Sequence, residues 1–197
     1  MWWTGGILVN RLLMAGDSVI CPVERTEDTE DSRCKSRPML GPDRFAPRLC
    51  EVPLAELEAA GIRGLILDLD NTLVSWGGSE IAQEHLAWVR SAQERGLRLV
   101  MLSNNFSDRV TQIARQMGIP FVANACKPSP VGFVRALRTL QLPRRHVAVV
   151  GDQLFTDVLG GKLCGLYTIL TEPLEANDHP ITNVFRFFER LMLPQRR

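Results

Sequence analysis

Residues 64–74 read GLILDLDNTLV. The run 64–70 is apolar until it meets two acids, the pattern of a buried parallel strand that ends at a site. A carboxylate at such a strand end is held rigidly. Successive strand residues face opposite ways, so Asp68 and Asp70 can share a side.

Outward from this run the pattern alternates strand with helix. Upstream, residues 53–60 (PLAELEAA) form a short helix that stops at Gly61. Downstream, Ser79 is positioned to cap a helix through about Arg95, with Ile81, Leu86 and Val89 inward and Gly96 ending it. LRLVMLS (97–103) reads as a second buried strand. A helix over 107–117 follows, with Val110, Ile113, Ala114 and Met117 at helical spacing and Gly118 at its end.

IPFVANA (119–125) reads as a third strand. Ser129 before Pro130 opens a helix whose inward residues are Phe133, Val134, Leu137 and Leu140. HVAVVG (146–151) is a fourth strand, residues 156–163 a short helix, and LYTIL (166–170) a fifth strand. Residues 181–192 make an amphipathic terminal helix. The expected fold is α/β: a Rossmann-like, open, parallel five-stranded sheet with helices on both faces. Ligands of such sheets bind beyond the carboxyl ends of the strands. Asp68 and Asp70, Ser103, Lys127, and Asp152 with Asp157 all fall at or just after predicted strand ends.

The bulk composition sets few further limits. Of 197 residues, 45% are apolar and 23% charged, enough for one core, and the net charge of +1 gives no global pull toward nucleic acid. Cys21, Cys34, Cys50, Cys126 and Cys164 are odd in number and form no Cys-x-x-Cys pair, which points to a reducing, cytoplasmic setting. The opening MWWTGGILVNRLLMAG is interrupted by Arg11 and makes a poor signal peptide. Residues 24–36 hold eight charges and no large apolar side chain, the composition of a disordered linker. The expected division is a largely irregular extension, 1–44, and one domain, 45–197.

The motif Asp68-Leu69-Asp70-Asn71-Thr72 resembles the first signature of the haloacid dehalogenase-like superfamily, Asp-x-Asp-x-Thr after a hydrophobic strand. Ser103, Lys127 and Gly151-Asp152-x4-Asp157 follow in that superfamily's order. Within it, DLDNTLVSW, LSNN and GDQLFTD resemble the YqeG-type, capless class III phosphatases, a subgroup that includes mitochondrial phosphatidylglycerophosphate phosphatases. The resemblance implies a phosphatase with Asp68 as nucleophile, Asp70 as general acid and base, and Mg2+ held by Asp68, the Asp70 backbone carbonyl and Asp152. It implies phosphate contacts from Ser103, the Asn104 amide and Lys127, with Thr72 and Asp157 in support.

The chemistry of these residue types agrees. Phosphoryl transfer asks a protein chiefly to position groups and neutralise charge. A carboxylate nucleophile divides hydrolysis into formation and breakdown of an aspartyl-phosphate. Magnesium favours oxygen ligands, and without a cation the same acids repel a phosphate dianion. Taken singly, each position also has a structural reading. Asp68 or Asp157 can cap a turn or helix, Thr72 and Ser103 can be purely structural, and Trp76 either lines the entrance or packs its loop. His85, His146 and His179 show no metal spacing, and Cys126 reads as a small buried filler.

Neither cap insertion point has room for more than one helix, between Val74 and Ser103 or between Ser103 and Lys127. An open site favours a phosphate on something bulky, such as a lipid head group, and no nucleic acid is expected. Ile181, Val184, Phe185, Phe188, Leu191 and Met192 form an apolar stripe that packs on the core or touches a membrane surface peripherally. The rival readings are a non-catalytic interaction module and a nucleotide or phosphoprotein phosphatase.

Overall fold

The computed structural model describes residues 41–175. The expectations for residues 1–40 and for a helix over 181–192 lie outside the described residues. Six parallel strands form one sheet, in the order β1-β6-β5-β2-β3-β4. They are β1 (Arg44–Ala46), β2 (Gly64–Asp68), β3 (Arg98–Leu102), β4 (Phe121–Val122), β5 (Val147–Gly151) and β6 (Tyr167–Thr171). The helices are α1 (Leu54–Ala59), α2 (Gln83–Glu94), α3 (Asp108–Met117), α4 (Pro130–Leu140) and α5 (Leu159–Leu163). No helix of the described residues is long and apolar enough to cross a membrane.

The sheet thus has six strands rather than the expected five. The extra strand is β1, three residues paired with β6 from Arg44↔Ile169 to Ala46↔Thr171. Three residues among prolines carry too little periodicity to be read as a strand. Asp43 pins its start by accepting from the Thr168 amide at 2.8 Å and from the Thr168 hydroxyl at 3.0 Å.

Strand β2 lies at the centre, between β5 and β3, and all five of its residues are buried. Its alternation sorts the two cores. Leu65 and Leu67 join Trp88, Val89, Val110 and Ile113 on one face of the sheet. Ile66 joins Phe133, Ala136 and Leu140 on the other. Each fully buried Leu or Ile contributes roughly 1.5–3 kcal/mol. Burial on both faces therefore fixes the register that positions Asp68.

Local details depart from the sequence expectations where tertiary packing outweighs local signals. Helix α2 starts at Gln83 with Ala82 at its cap, not at Ser79, and it buries His85, Trp88 and Ala92 along with Val89. Strand β4 is only two residues long, because Asn124 (φ 49°) and Cys126 (φ 53°) take left-handed conformations that end the extended run. Cys126 is exposed, not a buried filler. Helix α4 begins as expected, with the Ser129 side chain accepting from the Val131 amide, but it buries Gly132 and Ala136 while Val134 is exposed.

One helix joins β2 to β3 and one joins β3 to β4, so there is no cap domain at either point.

Candidate active site

Strand β2 stops at Asp68, two residues earlier than the sequence suggests. The chain then folds tightly: the Asn71 amide donates to Val74 O at 2.7 Å and the Leu73 amide to Leu69 O at 3.0 Å. Asn71 takes φ 63°, a left-handed conformation that asparagine tolerates better than most residues. Asp70 and Asp68 therefore reach the carboxyl edge from different elements, one from a turn and one from the strand.

Asp68, Lys127 and Asp157 form a buried chain of charges. Lys127 Nζ donates to Asp68 Oδ1, and to Asp157 Oδ1 at 2.7 Å. The second Asp157 oxygen accepts from the Gln153 amide at 3.2 Å. Asp157 lies on one wide, π-type turn (Leu154–Val158) inserted ahead of α5, a feature often found at functional sites. This turn folds its carboxylate back onto the end of β5. A side chain at Gly151 would overlap the Asp157 carboxylate, so the glycine of Gly151-Asp152 is what admits it.

Asp68, Asp152 and Asp157 are all buried and present carboxylate oxygens within 4.8 Å of one another. Three carboxylates beside one ammonium leave a double negative charge if all are ionised. An all-oxygen donor set carrying that charge fits a hard divalent cation such as magnesium. Burial, reinforced by the charges of Asp157 and Asp70, pushes the Asp68 carboxyl up to about 7, against the pull of Lys127. For Lys127, burial alone would pull the ammonium down, but Asp157 and Asp68 outweigh it and hold it above the ordinary lysine range.

The backbone beside Lys127 is held by Asn104. Its side-chain oxygen accepts from the Lys127 amide at 2.7 Å, and its side-chain nitrogen donates to Lys127 O at 3.4 Å. This clasp was not legible in the sequence, which suggests only the Asn104 amide as a phosphate donor. Ser103 is buried, and its Oγ accepts from the Asn105 amide at 3.1 Å. Its hydroxyl proton remains available to donate. Thr72 is buried too, and its Oγ1 makes no hydrogen bond among the described residues, so packing rather than that oxygen accounts for any bracing of the turn.

Asp70 has two partners that sequence reasoning missed. Arg109 Nη2 donates to Asp70 Oδ1 at 2.7 Å, and Asn105 Nδ2 donates to Asp70 Oδ2 at 3.2 Å. Arg109 also donates to Gly78 O at 2.7 Å, which joins α3 to the loop after the Asp70 turn. An arginine in the first turn of an amphipathic helix ordinarily reads as a solvated residue. Only the fold shows that α3 starts beside that loop.

A family model described as haloacid dehalogenase-like hydrolase matches residues 37–165. The chain is 38% identical over 152 residues to the protein named "Probable phosphatase YqeG" from Bacillus subtilis (strain 168), covering 77% of this chain and 88% of that protein. It is 27% identical over 148 residues to the chloroplastic phosphatidylglycerophosphate phosphatase 1 of Chlamydomonas reinhardtii, covering 71% of this chain and 55% of that one. Among solved structures, an uncharacterized protein from Listeria monocytogenes serotype 4b is similar with a TM-score of 0.50 at 16% identity. That match spans 60% of this chain and 85% of the other, and it bears on the fold alone.

Proposed function

We propose that this chain, which belongs to the haloacid dehalogenase-like hydrolase family and is a phosphatase of it, uses Mg2+ and an aspartyl-phosphate on Asp68 to hydrolyse a phosphate on a lipid head group. The observation that carries the mechanism is the buried set of Asp68, Asp152 and Asp157 with Lys127 bridging two of them.

Asp68 and Asp152 would hold the ion together with the Asp70 carbonyl, while Asp157 keeps Lys127 in place. When bound, magnesium supplies positive charge that offsets the acids and favours an incoming phosphate dianion. The free Asp68 oxygen attacks phosphorus, and the phosphorus bond to the leaving oxygen breaks. Asp70 protonates that oxygen, a contribution of roughly 10²–10⁴-fold for a placed acid. The same carboxylate then takes a proton from water, which attacks phosphorus and releases phosphate from Asp68. Lys127 and the Ser103 hydroxyl face the charge that develops on the phosphoryl oxygens; losing one such donor typically costs about 10²–10³-fold.

Two features support a lipid head group. Among the described residues no cap domain stands over the site, which leaves room for a large leaving group. Exposed aromatic side chains, Trp76 and Phe106, stand on the two loops that Arg109 and Asn105 join to Asp70. Such rings are favoured where protein meets a membrane surface. The similarity to a phosphatidylglycerophosphate phosphatase supports the same class.

The test is phosphate release by the full chain in Mg2+ from vesicles containing phosphatidylglycerophosphate, set against soluble aryl and sugar phosphates. The expected kcat/KM is at least about 10-fold higher for the vesicles, since remote binding energy then contributes. Equal or better turnover of the soluble esters would reject the lipid assignment and leave the phosphatase intact.

A further inference from the structure

Away from the acids, the 3₁₀ turn Leu49–Glu51 packs against α2, and Arg48 just before it pairs with Glu84 at the helix start. There Cys50, Glu84 and His85 each present a ligand atom, all within 4.8 Å of one another. We propose that these three side chains form a second metal site, one that takes a thiophilic divalent ion of the zinc class.

The imidazole carries the case. His85 is completely buried, and its Nδ1 lies 3.1 Å from Leu73 O, a carbonyl that can only accept. The proton therefore sits on Nδ1, and Nε2 keeps its lone pair. Nε2 is buried with no hydrogen-bond partner among the described residues. A ring fixed by a backbone carbonyl on one nitrogen and presenting a bare lone pair on the other is the usual form of a metal-ligating histidine. Sequence spacing gave no hint of this, because the thiol comes from 35 positions upstream of the imidazole.

The surroundings hold the ligands on regular elements. One turn further along α2, Trp88 Nε1 donates to Val52 O at 2.9 Å and locks the helix to the segment that carries Cys50. Arg48 Nη1 pairs with Glu84 Oε1 at 2.6 Å through half-exposed side chains, which leaves the second carboxylate oxygen for an ion. Tetrahedral zinc holds ligand atoms about 3.3–3.8 Å apart, given bond lengths of roughly 2.0–2.3 Å. His85 is immobile, while Cys50 and Glu84 are only partly buried or exposed and can close the remaining gap. Binding replaces the thiol proton with the ion, and that proton passes to solvent.

Hardness separates the two sites. Sulfur and nitrogen select zinc, whereas the all-oxygen cluster of Asp68, Asp152 and Asp157 suits magnesium. With three protein ligands, the fourth position is left to water or an exogenous donor.

The experiment titrates Co2+ into the reduced full chain in excess Mg2+, which fills the acidic site, and then adds Zn2+. The expected result is a near-ultraviolet thiolate-to-cobalt band that saturates at one ion per chain and disappears when Zn2+ displaces it. Cys50→Ser removes the band and lowers Zn2+ affinity at least about 100-fold; Glu84→Gln lowers it about 10-fold. Cys126→Ser, at the exposed thiol, leaves the band intact. Because His85 also holds Leu73, Cys50→Ser is the primary variant, and an unchanged near-ultraviolet circular dichroism spectrum certifies its fold. A wild-type chain without the band, or a band that survives in folded Cys50→Ser, overturns the site.

Discussion

Asp68 ends a strand whose five residues are all buried, whereas Asp70, two positions later, sits in a turn and is gripped by Arg109 from a neighbouring helix. The Asp68 side is a closed arrangement of Lys127, Asp157 and Asp152, anchored by β2, β5 and the wide turn before α5. The Asp70 side is a meeting of loops, with Asn105 and Arg109 reaching across and Arg109 a fifth exposed. Under the proposed mechanism the difference divides the tasks. The rigid side can hold charge that would otherwise be expelled from a core. The looser side can admit a substrate and still return a carboxylate to one place.

Asp68→Asn should break this comparison most sharply. Without a nucleophile, turnover in Mg2+ should fall by at least about 10³-fold. Lys127 keeps Asp157 as a partner and one like-charge repulsion disappears, so the melting temperature should hold or rise. Phosphate release and a thermal melt check both halves. Activity within about 10-fold of wild type would remove the distinction between the two aspartates.

Arg109→Gln addresses the looser side. It unties Asp70 and frees Gly78 O, so kcat should drop about 10-fold, short of the 10²–10⁴ of a lost general acid. Amide exchange over residues 75–79 should quicken. A loss as large as that of Asp70→Asn would show that Arg109 acts on the substrate directly and does more than hold the acid.

The smallest effect is one of pH. In EDTA, the Asp68 carboxyl carbon should titrate near 7 by NMR, and Mg2+ should move that midpoint down. The sign for stability follows. The ordinary value is 3.8, so between there and about 7 the folded protein keeps a proton that the unfolded chain has released. The contribution of this group to stability therefore falls as pH rises through that window. A midpoint near 4 in EDTA would mean that burial does not dominate at Asp68.

The rigid side was largely legible in the sequence and the looser side was not, for a physical reason. Buried parallel strands are read from continuous apolar runs, and a strand end followed by an acid marks a site whatever the connecting loops do. Asp68 and Asp152 stand at such strand ends, while Lys127 and Asp157 follow a few residues after theirs and are joined to Asp68 by the fold. Arg109, Asn105 and the Asn104 clasp depend on how α3 and two loops meet, which no local pattern encodes. The same limit hid strand β1, whose pairing with β6 lies more than a hundred residues away in sequence, and the start of α2, where Ser79 offers a cap that the chain does not use. His85 is the extreme case. Its meaning rests on one carbonyl, Leu73 O, and one thiol, Cys50, that only the folded chain brings to it.

The central claim is that Asp68 itself becomes phosphorylated. Quenching the Mg2+-loaded enzyme in mid-turnover and reducing it with borohydride converts an aspartyl-phosphate to homoserine, which peptide mass spectrometry can locate. The expected product is homoserine at position 68 alone, dependent on both substrate and Mg2+. Homoserine at position 70, or none at any aspartate while phosphate is being released, would contradict the account.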